Sequence, residues 1–552
     1  MMLHLPAIAG RLVTLVSLAA APPVAFDTYP KNPGIDALNY AFRIELSDTT
    51  DAIVGEMTLD LRFLAPNVRS VRLDLAKRDA AHGGNGMQVS AVTMDGAAVS
   101  FTHANDELLI PLAAAPAVQQ HSRVVVRYSG TPASGLAIKK NRYGDRTFFS
   151  DNWPNKAHQW LPTIDHPYDK ATSEFLVTAP SHYQVVSNGL RVEVTDLPGE
   201  RRLTHWRNSI PIAPWLFTLG VARFAVQRVD TFEGKPIETW VYAQDRDAGF
   251  ADFSTPTRSV VAFFSDYVGP FAYEKLANVQ SSAVSGGMEA ASAIMYDEKS
   301  VTGTRSVRWR NVVIHEIAHQ WFGNAVTEAD WDDVWLSEGF ATYFTQLYIE
   351  HAYGRDEFVR GMLSSRETVA TFAAAHPGYT IVHKNLSRME DVTSSHTYQK
   401  GSWTLHMLRG VIGDDAFQRG IRSYYQQHFN ANATTADLRQ AMEEASGRDL
   451  GWFFDEWLYK PGTLKVAGRW TYDAGAKQVR IALDQVQTDG SVFRMPVEVA
   501  VYTSKEAAPT MQRVEMTTKA NVFRIDLPSE PNDVRLDPNL WVLMDATFER
   551  AR

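Results

Sequence analysis

The chain of 552 residues contains no cysteine, so disulfides, thiol nucleophiles and thiolate metal sites are all excluded. Any metal must therefore be held by histidine and carboxylate side chains. Lysine- and arginine-rich runs are also missing and the formal net charge is −9, which argues against a nucleic-acid partner. Beyond the first 25 residues no segment reaches about 18 uninterrupted apolar residues. We therefore expect no stable membrane insertion of the mature chain.

The N-terminal segment has the proportions of a secretory signal peptide. Arg11 precedes an apolar stretch of small residues over 12–21, and Pro22, Pro23 and Ala25 follow. We expect removal near Ala25, which gives a signal peptide over 1–25 and an exported protein, periplasmic or secreted. The alternative is an N-terminus that is merely apolar and frayed.

Length and periodicity predict several domains. A chain of this size exceeds what one core organises, and 45% hydrophobic with 21% charged residues is ordinary for a soluble globular protein. Alternation with a period of two, as at Met57, Leu59 and Leu61, predicts an all-β domain over 26–229. Helical periodicity predicts a mainly helical domain over 230–461. Alternation returns around Val479 and predicts a small β-sandwich over 462–552.

Two histidines one helical turn apart begin a candidate metal site. They lie in His315-Glu316-Ile317-Ala318-His319, inside a helical pattern that starts near Trp309. Residues four apart share a helix face, so His315 and His319 can direct two imidazole nitrogens at one point. Glu316 is rotated around the axis by about 100°, and its carboxylate can reach a water beside the metal without being a ligand. Glu316 is therefore the candidate general base.

The third ligand is expected downstream, because a hydrolytic zinc site takes three protein ligands and leaves one position open. Glu338 lies nineteen residues after His319, at the start of the next predicted helix. A helix-loop-helix can return its carboxylate to the two imidazoles, and this donor set suits one zinc ion per chain. The alternative is that His315 and His319 are core or surface histidines that fall four apart by chance.

These segments resemble the aminopeptidase N and leukotriene hydrolase family of gluzincin metallopeptidases. Residues 311–324 are similar to the family's metal helix, and Val334-Trp335-Leu336-Ser337-Glu338-Gly339 to its third-ligand segment, with Ser337 where Asn is usual. Gly286-Gly287-Met288-Glu289-Ala290 is similar to the exopeptidase motif Gly-x-Met-Glu-Asn, and Tyr398-Gln399-Lys400-Gly401 to the segment of the catalytic tyrosine. The resemblance covers about residues 40–460. It implies a multidomain α+β protein with a thermolysin-like catalytic domain between the two β domains.

The resemblance also implies an activity, that of a zinc-dependent aminopeptidase acting on peptides with a free N-terminus. Glu289 would pair with the protonated α-amino group and place the first peptide bond over the metal. Gly286, Gly287 and Met288 would line an extended substrate strand. Tyr398 would donate its hydroxyl to the oxyanion of the transition state. Without the resemblance, Glu289 is an ordinary surface acid and Tyr398 a packing aromatic.

Two departures from the family pattern concern the pocket for the substrate amine. Ala290 replaces the last Asn of the exopeptidase motif, so the support of that amide is missing. Asp151 falls where many relatives have Gln, and a second carboxylate there would strengthen the grip on a positive N-terminus. The alternative is that Asp151, beside Asn152 and Pro154, is a turn residue.

Three rival functions stay open from the sequence. An endopeptidase on the same metal site would need no amine anchor. An epoxide hydrolase, as in the leukotriene hydrolase relatives, would need a long apolar pocket. A catalytically silent scaffold would normally lack a ligand or the base, and this chain retains all of them.

Overall fold

The structure is a computed structural model that describes residues 27–383, 388–504 and 508–551. The predicted signal peptide over 1–25 lies outside these residues. Among the helices within them, none combines the length and the apolar character that crossing a membrane requires.

The N-terminal region is built from strands, as predicted. Eight of its strands form a large sheet in the order β13-β14-β11-β1-β2-β8-β4-β5, in which β1 is parallel to β11 and antiparallel to β2. Two smaller sheets have the orders β12-β15-β10-β9 and β3-β7-β6. The strands are β1 Ile35–Glu45, β2 Ile53–Phe63, β3 Ser70–Asp74, β4 Gly86–Met94, β5 Ala97–Ala98, β6 Thr102–Ala104, β7 Glu107–Pro111, β8 His121–Thr131, β9 Leu136–Lys140, β10 Arg146–Ser150, β11 Ala171–Pro180, β12 Gln184–Ser187, β13 Leu190–Leu197, β14 Arg201–Ile212 and β15 Leu219–Ala222.

The alternation that predicted these strands reflects their burial. In β2, Met57, Leu59 and Leu61 are fully buried, whereas the residues between them are partly exposed. Such a strand covers the core with one face and meets solvent with the other.

The central region contains most of the helices. They are α1 Arg246–Tyr267, α2 Val307–His319, α3 Trp335–Tyr353, α4 Arg355–Ala375, α5 Gly401–Ile412, α6 Asp414–Gln427, α7 Thr435–Ser446 and α8 Gly451–Leu458. The helical prediction is confirmed, but the region also contains a five-stranded sheet in the order β16-β17-β18-β20-β19. Its strands are β16 Phe224–Phe232, β17 Lys235–Tyr242, β18 Leu276–Ser281, β19 Gly287–Met288 and β20 Ala293–Asp297, and a separate pair joins β21 Thr327–Glu328 to β22 Asn432–Ala433.

The sequence did not predict the five-stranded sheet, because apolar and polar residues do not alternate along its inner strands. Every residue of β18 is buried, so its sequence carries no period of two. The predicted domain boundary after residue 229 falls within β16, which pairs with β17. By this pairing, β16 belongs to the sheet of the central region.

After residue 461 the chain returns to strands. They are β23 Leu464–Asp473, β24 Gln478–Gln485, β25 Met495–Tyr502, β26 Thr510–Met516, β27 Ala520–Asp526, β28 Asp533–Leu536 and β29 Met544–Arg550. They form one sheet in the order β27-β24-β23-β29 and a second in the order β26-β25-β28.

Candidate active site

Helix α2 brings the two predicted histidine ligands together at its C-terminal end. The Nε2 atoms of His315 and His319 lie 3.1 Å apart. Nδ1 of His319 lies 3.1 Å from the carbonyl oxygen of Phe322, so with a metal bound this nitrogen can donate there and leave the Nε2 lone pair toward the ion. Burial lowers the pKa of His315 and so favours the neutral imidazole that a metal requires.

Glu338, in the first turn of α3, completes the trio. Its Oε2 lies 3.4 Å from Nε2 of His315 and 3.2 Å from Nε2 of His319. Burial acts to raise the pKa of Glu338, but the charge of His319 and the closeness of both histidine rings lower it to about 2. The carboxylate is therefore ionised at neutral pH.

The three donor atoms fit a zinc ion. Atoms bound at about 2.0–2.2 Å to one tetrahedral ion lie about 3.3–3.6 Å from each other, close to the 3.1, 3.2 and 3.4 Å found here. Oε2 of Glu338 is buried and has no hydrogen-bond partner among the described residues, as expected of an atom reserved for a metal. A small outward movement of the side-chain donors is enough to hold the ion.

Glu316 and Glu289 place two further carboxylates beside this trio. Oxygens of both acids and a ring nitrogen of His319 lie within 4.8 Å of one another. Burial raises the pKa of Glu289 to about 7 and raises the pKa of Glu316 well above its ordinary value, although the charge of His319 opposes both shifts. Oε1 of Glu289 has no hydrogen-bond partner among the described residues. It is thus free to meet a ligand.

The predicted substrate-binding glycines lie at the edge of the five-stranded sheet. Gly287 and Met288 form β19, the last strand, which pairs on one side with β20. A side chain at position 287 would collide with the carboxylate of Glu316. Glycine at this position therefore lets the sheet edge approach the candidate base.

Tyr398 lies in a π-helical turn, His396–Lys400, that precedes α5. Its hydroxyl donates to Oε1 of Glu338 at 2.6 Å. The close approach is possible because Gly339 of α3 faces the backbone of the turn, where an added Cβ would lie 3.0 Å from the carbonyl oxygen of Thr397. Burial, with Glu338 nearby, raises the pKa of Tyr398 well above its ordinary value, so the hydroxyl keeps its proton.

Asp151 directly follows β10 in the N-terminal β region. Its charge is a small contribution to the raised pKa of Glu289. Burial raises the pKa of Asp151 itself, and Lys156 opposes the shift. The contacts above thus bring the three predicted ligands together with Glu316, Glu289 and Tyr398, whereas Asp151 stays a prediction.

Sequence reasoning missed the residues that support the loop carrying Glu289. Gln320 and Asn324 each donate a side-chain N–H to the backbone carbonyl oxygen of Glu289, at 3.0 and 2.6 Å. A signal was available, because Gln320 lies four residues after Glu316 and so shares its helix face. No comparable sequence pattern indicated Ser292, the second hydrogen-bond partner of Gln320.

Comparison with known proteins matches two family descriptions to successive parts of the chain. Residues 36–216 match the Peptidase M1 N-terminal domain, and residues 254–457 match the Peptidase family M1 domain. Together these ranges cover more than half of the sequence. The chain belongs to peptidase family M1. This membership bears out the resemblance stated above, and zinc as the cofactor agrees with it.

Several relatives of this M1 chain carry aminopeptidase names. It is 29% identical over 331 residues to glutamyl aminopeptidase of Homo sapiens, covering 57% of this chain and 34% of that protein. It is 26% identical over 435 residues to probable aminopeptidase 1 of Sulfurisphaera tokodaii, covering 75% and 54%. The chain thus spans about a third to a half of the length of these curated relatives.

A solved structure shares the fold. It is the crystal structure of the M1 zinc metallopeptidase from Deinococcus radiodurans, with a TM-score of 0.65 at 24% identity, covering 77% of this chain and 93% of that one.

Proposed function

We propose that this M1 protein is a zinc-dependent aminopeptidase that hydrolyses the first peptide bond of peptides with a free N-terminus. The proposal depends mainly on Glu289. A buried carboxylate with an oxygen lacking a protein partner lies within 4.8 Å of Glu316 and His319. A protonated amine at Glu289 would hold the adjacent carbonyl close to the metal ligands. An endopeptidase would have no use for such an anchor.

The residues of the chain divide the reaction among them. Glu289 binds the α-amino group, and the free edge of β19 can pair with the extended substrate. Glu316 takes a proton from the attacking water and passes it to the departing amine. Tyr398 turns its hydroxyl from Glu338 to the oxyanion as the tetrahedral carbon forms.

Zinc held by His315, His319 and Glu338 would supply Lewis-acid polarisation of the scissile carbonyl and a lowered pKa of the attacking water. The family relatives named as aminopeptidases and the donor set of the site support this assignment.

The test compares free and N-acetylated forms of the same aminoacyl fluorogenic substrates. Free substrates should be hydrolysed and acetylated ones should not, because acetylation removes the positive charge that Glu289 pairs with. Glu289→Gln should raise KM for free substrates by about 10- to 100-fold, the cost of losing one charge-assisted contact. Equal rates on both forms would instead identify an endopeptidase. Zinc content, measured in parallel, should be unchanged in the variant.

Two finer features complete the proposal. We infer that the central domain is thermolysin-like and that the two C-terminal sheets pack as a β-sandwich. The β-sandwich is supported by the buried side chains of Val479, Ile481, Val497 and Val499.

We also infer export to the periplasm or the medium, supported by the sequence of residues 11–25. Mass spectrometry of the N-terminus after expression with an export pathway should find a start near residue 26. A retained Met1 would contradict export.

A further inference from the structure

We propose that Gln320 is a positioning residue that sets the amine anchor in register with the catalytic base. The anchor loop, residues 289–292, connects β19 to β20 and carries Glu289. This inference rests on the proposed function, because it assigns a role relative to amine recognition. It concerns how Glu289 is held and adds no group that touches substrate.

The side-chain amide of Gln320 binds both ends of the anchor loop. Its Nε2 donates to the backbone carbonyl oxygen of Glu289 at 3.0 Å, and its Oε1 accepts from the backbone N–H of Ser292, also at 3.0 Å. Gln320 is completely buried, so water does not compete for these bonds. A single planar group thus fixes the loop at two points.

The position of Gln320 in the chain gives these bonds a functional meaning. It follows His319 directly and lies four residues after Glu316, and its Nε2 is 3.4 Å from the carbonyl oxygen of Glu316. A shift of α2 would therefore move the base, a metal ligand and the support of the anchor together. The catalytic base and the support of Glu289 are thus both fixed at the C-terminal end of α2.

The same arrangement explains how the anchor loop is supported although Ala290 replaces the last Asn of the exopeptidase motif. A methyl group at 290 can donate no hydrogen bond, so the polar support comes from outside the loop. Asn324 adds a second donor to the carbonyl oxygen of Glu289, at 2.6 Å. Both supporting amides lie in the segment directly after α2, and neither belongs to the exopeptidase motif.

Further hydrogen bonds hold the anchor loop at its C-terminal end, Ser292. Ser292 is fully buried and has a φ of +63°, a conformation that a side chain seldom adopts and that its surroundings must enforce. Its hydroxyl accepts from the backbone N–H of Gly189 at 2.8 Å and from Nζ of Lys275 at 3.3 Å. Lys275 also donates to the carbonyl oxygen of Ser187 at 2.7 Å. The N-terminal β region thereby supports the residue that Gln320 binds.

The decisive experiment measures binding of two ligands by calorimetry on the zinc-loaded protein. Leucine hydroxamate carries a free amine, and N-acetyl-leucine hydroxamate does not. Gln320→Leu should weaken the first ligand about tenfold, equivalent to about one hydrogen bond, and leave the second unchanged at unchanged zinc content. Gln485→Leu is the matched control, because Gln485 is a buried amide of β24 that bonds both backbone groups of Phe493. It should change neither ligand.

Each alternative outcome has its own meaning. If Gln320→Leu weakens both ligands equally, or neither, the positioning role is wrong. If the parent protein itself binds both ligands equally, the proposed aminopeptidase function fails instead. Should Gln320→Leu not fold, Ser292→Ala tests the same chain of contacts. It should weaken only the free-amine ligand, by a few-fold, and an unselective or absent effect would overturn the inference.

Discussion

The candidate active site has two sides that are built in different ways. On the metal side, His315, His319 and Glu338 lie on two helices, and their donor atoms meet within 3.4 Å. On the anchor side, Glu289 lies in a loop whose backbone accepts hydrogen bonds from Gln320 and Asn324, just after α2. The metal side follows from helix periodicity and one helix-loop-helix. The anchor side follows from contacts between residues about 30 positions apart in the sequence.

This difference predicts that substitutions on the two sides should affect peptidase activity in different ways. Substitutions on the metal side should reduce catalysis on every substrate, because they alter groups that act on the carbonyl and the water. The effect of substitutions on the anchor side should depend on the substrate, because they weaken binding of its amino group. The following predictions test that division, from the largest effect to the smallest.

Glu316→Gln should have the largest effect, since it removes the base without changing the shape of the site. Turnover should fall by about 10²- to 10⁴-fold on all substrates. Metal analysis should still find about one zinc per chain, because Glu316 is not among the three ligands. Activity that survives in this variant would assign the base to another residue.

Tyr398→Phe should come next, with a decrease in kcat of about 10²- to 10³-fold and little change in KM. On the proposed role, the hydroxyl acts in the transition state, and without substrate it donates to Glu338. Steady-state kinetics on a free aminoacyl substrate separate the two constants. A change confined to KM would show that Tyr398 serves ground-state binding.

Gly287→Ala tests the boundary between the two sides. Its methyl group would displace Glu316, and a misplacement of about 1 Å can cost about 100-fold in rate. Gly286→Ala is the matched control, because the space beside Gly286 is open, although its φ of +99° adds backbone strain. The control should lose stability in thermal melts and keep most of its kcat. Equal losses of kcat would mean that the loop, and not the base, is disturbed.

Glu456→Gln should have the smallest effect, on stability alone. Both carboxylate oxygens of Glu456 accept from the same backbone N–H, that of Arg494, so a glutamine oxygen can replace them. Burial raises the pKa of Glu456 from 4.5 to about 7, although Arg494 and Lys460 oppose the shift. The folded protein therefore holds this proton more tightly than the unfolded chain, and its stability should fall as the pH rises from about 4.5 to 7.

The variant should lose that pH dependence. Allowing for solvent screening, it should be more stable than the parent by about 1–2 kcal/mol at pH 8 and nearly equal to it at pH 4.5. Thermal melts at both pH values measure the difference, with peptidase activity at pH 8 as the control for the site. A parent and a variant with parallel pH profiles would contradict the raised pKa.

The sequence predicted the metal side better than the anchor side for a physical reason. The spacing of His315 and His319 is a property of any helix, so it needs no knowledge of the fold. Tyr398 and Glu289 were found through the family resemblance, because a single tyrosine or glutamate has no spacing to read. The contact between Gln320 and Ser292 depends on how α2 meets β20, and no local pattern encodes that meeting.

The same distinction holds for the fold. Strands with one solvent face, such as β2, and amphipathic helices have a period that can be read from their residues. Strand β18 is buried on both faces and has none, so the central sheet was missed. The two-residue strand β19, which lies beside the base, is too short for any periodicity.

The bond from Gly189 to the hydroxyl of Ser292 has a practical consequence for protein engineering. A fragment cut to begin at Phe224 would keep every ligand of the metal and the base. It would nevertheless lose Ser187 and Gly189, two of the backbone groups that hold Lys275 and Ser292 in place. A design that keeps the preference for unblocked peptides should therefore retain residues 187–189.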